Sequence, residues 1–427
     1  MQTTTLTRVA AALALAAGPA PAFAAGFQLL EQNASGIANA YAGSAAVAED
    51  ASTIFFNPAG MTALRERELS VGLAAVRPRF EFSDRGSTAT GALGGDGGDA
   101  GSWAYLPNAY VSWALRPDLY VGVGLGAPFG LITEYDDNWV GAAHSVSFDI
   151  KTYNINPSIA WRINERVSVG GGLSWQRMEV EYERVAAVLP APLPLSSTRA
   201  ILDADSDAWG WNVGALITLS PATRLGLSYR SAIKHTLEGD LKVKGAAAGL
   251  SPALSSGKAK ADVELPDTFI LSAVHRLDER WELLGDISWT GWSKIDKVDI
   301  VRDSGPLSGV TVQTLDTDFR DTWRVALGAG YRLNAAWKLK AGLAWDQSPV
   351  KDRAHRLVSL PDNDRTWFAA GAQWMPGGGA RVDLGLAYLY VPKTKIDNDQ
   401  AALGRGRVTG EYDSSVWILG AQYSVAF

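Results

Sequence analysis

The side chains best able to do chemistry in this sequence do not gather into any catalytic pattern. Its four histidines, His144, His235, His275 and His355, are scattered. None has the HExxH spacing that sets two imidazoles on one helix face around zinc. No G-x-S-x-G elbow presents a serine nucleophile. Cysteine is absent, which removes thiolate ligands, disulfides and thiol nucleophiles together. GVGLG at 122–126 looks like a phosphate loop, but no helix start and no Lys-Ser/Thr follows it. GGDGGDAG at 94–101 echoes a calcium-binding nonapeptide, and a single partial copy reads as a flexible loop tip. No enzyme, metal site or cofactor is expected. Lys plus Arg total 39 against 45 Asp plus Glu, a net charge of −6, so no basic excess points to nucleic acid.

The elements that would position any site begin with a leader. Arg8 precedes VAAALALAAGPAPAFA, an apolar run too short to span a bilayer, which ends in the small-x-small site Ala22-Phe23-Ala24. Cleavage after Ala24 is expected, making 1–24 a signal peptide; a membrane anchor is the other reading. The rest of the chain repeats a period-two alternation. Trp417, Leu419, Ala421, Tyr423, Val425 and Phe427 share one face, and Ile418, Gly420, Gln422, Ser424 and Ala426 the other. Counting such runs gives about fourteen strands over 68–427, among them 119–127, 206–219, 224–237, 317–333, 380–392 and 411–427. Short connections (RPD, INE, SPAT, LDER, LNAA, PGGGA) alternate with long ones at roughly 84–103, 128–145, 184–205, 238–258, 300–316, 347–364 and 393–410. Such sorting is the mark of an outer-membrane barrel, short turns facing the periplasm. Hydrocarbon leaves backbone groups unsatisfied, so a spanning sheet must close on itself. The fold expected is therefore all-β: a 14-stranded antiparallel transmembrane β-barrel of the bacterial outer membrane. Trp281, Trp289, Trp337 and Trp417 stand where interfacial girdles would. The competing fold is a large soluble all-β protein with its apolar face in a sandwich core.

Residues 25–67 precede the first strand and carry Phe27, Leu29, Leu30, Ile37, Tyr41, Ile54, Phe55, Phe56 and Met61. A periplasmic tail would be polar, so this segment is expected to fold inside the barrel as a plug, or hatch. Residues 34–48 read as a short helix with Ser35 as its cap. Phe55 and Phe56 running into Asn57-Pro58 read as a compact knot on the inner wall.

Several stretches taken together resemble the FadL-type outer-membrane transporters for long-chain fatty acids and other hydrophobic compounds. They are AGFQL (25–29), SGIANAYAGSAAVAEDAS (35–52), NPAG (57–60), APFGLITEYDDNW (127–139), LPDTFILSAVHRLDERWELLGDISWTGWSKI (265–295), FRDTWRVALGAGYRL (319–333), AGLAWDQSPV (341–350) and PDNDRTWFAAGAQW (361–374). The resemblance implies a hatch-plugged barrel of fourteen strands, matching the independent count. It implies head-group ligands at Arg184 and Arg320, with Ala127 where some relatives carry an assisting serine. It implies that Phe27 touches the bound chain. A lumenal ion pair with Asp or Glu is the other reading of both arginines. The resemblance also implies sideways release through a kink in the third strand. There Gly122, Gly124, Gly126 and Pro128 would weaken the ladder.

Two long connections, VAAVLPAPLPL at 185–195 and GAAAGLSPAL at 245–254, are apolar where an exposed loop should be polar. They read as an outer docking groove, or as a lid that packs on itself. The function expected is passive uptake of long-chain fatty acids by a monomer lying in outer-membrane lipid. The rivals are uptake of aromatic hydrocarbons, a lipid-modifying enzyme with a Ser/His pair at the rim, and an open diffusion porin.

Overall fold

In the computed structural model, residues 26–89, 93–186 and 198–427 are described. The leader expected to be cleaved and most of the apolar loop at 185–195 lie outside them. Twenty strand segments form one antiparallel sheet. Six barrel strands are each split in two, at 126/130, 230/233, 265/268, 290/297, 316/322 and 390/394, which leaves fourteen strands. Pro128, Pro266 and Pro392 sit in three of the six interruptions, as expected of a residue that cannot donate to a ladder. The first strand, Arg67–Asp84, pairs with the second, Ala104–Arg116, and with the last, Arg407–Ala426. The sheet is thus a closed cylinder.

Alternation within the wall follows the lipid. Trp417 is 48% exposed and its neighbour Ile418 0%, in a strand with no protein on its outer side. Outer-rim aromatics include Trp103, Tyr105, Trp209 and Tyr390; periplasmic-rim ones include Trp113, Trp161, Trp281, Trp337 and Trp374. Trp337 and Trp374 are cross-strand partners with stacked rings.

The sixth strand, Arg199–Ser220, shows where the pattern changes phase. Trp209, Trp211 and Val213 point outward in the membrane band, while Asp203, Asp205 and Asp207 point outward above it. Leu202 and Ala204 there turn inward and are buried. Twenty-two residues greatly exceed the ~9–11 that cross the bilayer. The strand therefore projects into water, with its outside charged and its inside apolar. Reading apolar residues as lipid-facing starts this strand at 206, seven residues late. The same inversion ends the seventh strand at 237, seven residues short of Lys244, and hides the continuation Thr394–Asp399.

Residues 26–66 fill the bore. The expected helix over 34–48 is only a 3-10 turn, Ile37–Asn39, inside a chain of turns. Ser35 does not cap it; its hydroxyl donates to Asp50 Oδ2 at 2.7 Å, and Asn33 Oδ1 accepts from the Gly36 amide. Ala-rich composition favours helix, but the backbone here bends to follow the wall. At Gly342 an added Cβ would lie 2.2 Å from the Asn39 backbone, and at Gly226 2.0 Å from the Ala45 carbonyl oxygen. Only glycine permits so close an approach.

The Phe55-Phe56 knot is a one-turn helix, Thr53–Phe56, followed by a 3-10 helix, Pro58–Ala63. Asn57 ends the first, and Pro58 opens the second at a position where its missing N–H costs nothing. Asn57 Nδ2 donates to the carbonyls of Ala45 at 2.7 Å and of Ala215 on the wall at 2.9 Å. Phe56 packs on Tyr41, and Phe55 lies under the Arg230 guanidinium.

The glycine-rich loop 94–101 is a turn with positive φ at Gly95, Gly97 and Gly98, docked by backbone bonds onto 136–140. No cluster among the described residues could hold a metal ion.

Candidate functional site

The third strand carries the first part of the site. Leu119–Gly126 is paired on both sides as far as Leu125, so Gly122 and Gly124 lie within an intact ladder. Their role is clearance: a Cβ at Gly122 would lie 2.6 Å from Ile54 Cδ1, and one at Gly124 2.8 Å from the Tyr110 ring. The break comes at Ala127-Pro128-Phe129, just beyond Gly126. The strand resumes as Gly130–Glu134, paired only to the fourth strand. Residues Ala104–Asn108 of the second strand pair only with the first. The wall therefore lacks a ladder here. Asn108 is buried at this edge, and its side-chain amide has no partner.

The start of the hatch is stitched to the same break. Leu29 N donates to Pro128 O at 2.8 Å, Gly130 N to Phe27 O at 2.9 Å, and Gln32 Nε2 to Ala127 O at 2.7 Å. Phe27 sits in an aromatic cage with Phe129, 5.9 Å between centroids, and Trp292, 5.0 Å. Trp292 in turn meets Phe319 edge-on. Gly26 has φ +64°, and a Cβ there would lie 2.7 Å from the Trp292 ring, so this turn needs glycine. Its amide donates to Asp362 Oδ2 at 3.1 Å.

Arg184 closes the fifth strand, Val167–Val185, above the membrane band. It lines a cavity of about 260 Å³ whose walls are largely apolar, including Leu202, Leu241, Leu254 and Val310. The apolar connection at 245–254 thus reaches this cavity through Ala253 and Leu254, while its Leu250 is exposed. Arg184 donates to the Val185 carbonyl, and no carboxylate of the described residues lies within ion-pair distance. Burial holds its pKa below the usual arginine value.

Arg320 is placed elsewhere. Its Nε donates to Ser348 O at 3.1 Å, and its guanidinium lies 3.8 Å from Asp364. It does not line the Arg184 cavity. The residue that this segment buries in the aromatic cage is its neighbour Phe319. The structure therefore joins Phe27 to the strand break and Arg184 to the outer cavity, and does not join Arg184 to Arg320. Two residues not singled out from sequence also matter: Trp292, which lies inside a quoted motif, and Glu31, which carries no local signal.

The family model described as "Outer membrane protein transport protein (OMPP1/FadL/TodX)" matches residues 14–427. The chain belongs to that family. The long-chain fatty acid transport protein of Escherichia coli O6:H1 is 30% identical, with all of both chains covered. Outer membrane protein P1 of Haemophilus influenzae is 31% identical over 97% of this chain and 98% of its own. The crystal structure of a Pseudomonas aeruginosa FadL homologue matches with TM-score 0.84 at 23% identity, covering 94% of this chain and 99% of that one. The P. putida toluene transporter TodX matches with TM-score 0.69 at 16% identity, covering 92% and 98%. At these identities the solved structures speak for the fold. As a member of the OMPP1/FadL/TodX family, the chain is a transport protein of the outer membrane and not an enzyme.

Proposed function

We propose that this chain carries long-chain fatty acids passively across the outer membrane. The observation that carries the reading is Arg184, a cation without a carboxylate partner in the wall of an apolar cavity. An alkyl chain needs such a sleeve and a carboxylate head group needs such a donor. Relatives named as long-chain fatty acid transport proteins, alike over their whole length, support the substrate class. Substrate is captured from outside beside the loop at 245–254 and passes inward to the aromatic cage at Phe27. It leaves sideways where the third strand is broken at 127–129. Release requires the Phe27–Leu29 segment to let go of Pro128 and Gly130, a local opening that breaks a few backbone hydrogen bonds and draws Phe27 out of its aromatic cage. The barrel closes within one chain, which supports action as a monomer.

The test is uptake of labelled oleate by cells lacking their own transporter. Expression of this chain is expected to restore uptake, and Arg184→Gln to reduce it. Uptake no greater than with empty vector removes the substrate class. Restored uptake of a neutral alkylbenzene without oleate would turn the reading toward hydrocarbons.

A further inference from the structure

Two arginines at the short-turn rim of the barrel stand on its lipid side without a counter-charge. Arg67 opens the first strand, and its cross-strand partner on the second is Trp113. The guanidinium carbon lies 4.3 Å from the centre of the Trp113 ring. Trp113 is 45% exposed on the outer face of the wall, so Arg67 stands on that face as well. Arg280 directly precedes the ninth strand, Trp281–Thr290. Its Nη1 lies 3.4 Å from the Tyr331 hydroxyl, to which it donates. Tyr331 in turn packs on its cross-strand partner Trp281, with 4.7 Å between ring centroids. Both arginines are exposed, and no carboxylate of the described residues is within ion-pair distance of either.

The acidic groups of this rim are mostly engaged elsewhere. Asp278 Oδ1 accepts from the amides of Arg280 and Trp281, both at 2.7 Å. Glu282 pairs with Lys338, and Glu68 with Arg381. The Phe427 amide donates to the Arg67 carbonyl, yet the terminal carboxylate makes no ion pair with Arg67. Arg116 on the same rim is different. Asp118 neutralises it at 3.1 Å and also accepts from Trp161 Nε1. At the opposite rim Arg77, Arg79, Arg177, Lys258 and Lys297 each meet a carboxylate. Arg67 and Arg280 thus combine an aromatic seat with a charge that the protein leaves uncompensated.

Trp113, Trp281 and Tyr331 belong to the aromatic girdle, which marks the level of the lipid head groups. A guanidinium seated on such a ring keeps N–H groups of its fork free. A phosphate matches that fork with two parallel hydrogen bonds, which an ammonium cannot reproduce. We propose that Arg67 and Arg280 each hold the phosphate of an anionic phospholipid in the periplasmic leaflet. The acyl chains then run toward the bilayer centre along Leu69 and Val111 at the first site, and along Leu283 and Ala329 at the second, each a cross-strand pair on the outer face. The first and ninth strands stand on roughly opposite sides of a fourteen-strand cylinder. Two bound phosphates therefore fix the depth of the short-turn rim on both flanks. The inference is independent of what the barrel carries.

The experiment measures displacement of a fluorescent phosphatidylglycerol from the full mature chain in an uncharged detergent, with heat-modifiable gel mobility confirming a folded barrel. The competitors are unlabelled phosphatidylglycerol, phosphatidylcholine with the same acyl chains, and inorganic phosphate. Phosphatidylglycerol is expected to compete several-fold better than phosphatidylcholine, and inorganic phosphate not to compete. Arg67→Gln combined with Arg280→Gln should weaken phosphatidylglycerol about fivefold, the equivalent of one arginine beside an anionic lipid at each site. It should leave phosphatidylcholine within about twofold. Arg116→Gln, on the same rim but ion-paired in the parent, should change neither. Equal competition by the two lipids in the parent overturns the proposal, as does unchanged phosphatidylglycerol affinity in the double variant. An equal loss in Arg116→Gln would assign the preference to rim charge in general, and displacement by inorganic phosphate would make the arginines a site for free anions; either result also overturns it.

Discussion

The ring of Phe27 stands edge-on to Trp292, with centroids 5.0 Å apart and planes at 67°. This contact joins the start of the plug to the interruption in the ninth strand, and Phe129 beside it belongs to the break in the third. One aromatic cluster thus holds the hatch leader and the wall opening together. Phe27→Ala removes a nearly buried ring, a change typically worth ~3–5 kcal/mol where the site cannot collapse. The leader should then detach from Pro128 and Gly130 while the rest of the plug stays. Planar-bilayer recordings should show frequent brief openings that are rare in the parent protein. A quiet Phe27→Ala channel would mean that the cage does not seal the path.

Proton uptake should tighten the same leader. Glu31 is buried in the hatch, and neither of its carboxylate oxygens meets a hydrogen-bond partner. Burial pushes its pKa up to about 7, against the partial relief given by its own backbone and Arg365. A carboxyl raised in the folded state binds more protons there than in the released chain, whose pKa is ~4.3. Packing of the leader is therefore strongest below about 4.3, weakens as pH rises, and levels off above about 7. Protection of amides 28–33, measured as exchange relative to the intrinsic rate at each pH, should be greater at pH 5 than at pH 8. In Glu31→Gln that difference should vanish; if it persists, another group is responsible.

How much of this was legible in the sequence depended on which solvent each face meets. In the membrane band lipid imposes one rule, so Trp417 to Phe427 reads as a strand from alternation alone. Above the band the rule inverts. Leu202 and Leu241 face inward while Asp203 and Asp240 face outward, so a lipid-facing rule reads those stretches as loop. The plug was recognisable from apolar residues in a segment with no strand pattern. Its conformation was not, because alanine propensity gave way to the path set by the wall glycines. Arg184 was found only through likeness to a family.

A second anchor holds the middle of the plug. Glu49 lies 3.3 Å from Lys338 and pairs also with Lys340, which reaches Asp383 at 3.0 Å. Burial alone would push the Glu49 carboxyl up, but the two lysines override it and hold it well below the usual range. A depressed folded-state pKa contributes stability above ~4.3 that is lost as pH falls toward the folded value. Glu49→Gln leaves two buried ammonium groups with reduced compensation, a defect on the order of 3 kcal/mol. Limited proteolysis of the purified barrel should then cut within residues 40–52 where the parent resists. Equal resistance would show that the backbone contacts of the plug hold it unaided.

Backbone contact itself can be tested at Gly226. An added Cβ would stand 2.0 Å from Ala45 O, and main chain cannot yield as a flexible side chain can. The seventh strand is fixed by ladders to the sixth and eighth, so the plug must move. Gly226→Ala should cost ~1–3 kcal/mol and speed exchange at residues 45–47. Gly171→Ala is the matched control in the same wall. Its nearest neighbour would be Asn212 O at 3.4 Å, ordinary contact, and no hatch atom is near. If the two variants exchange alike, the glycines are a property of barrel strands in general; if only Gly226→Ala loosens the plug, they are the seat against which it was folded.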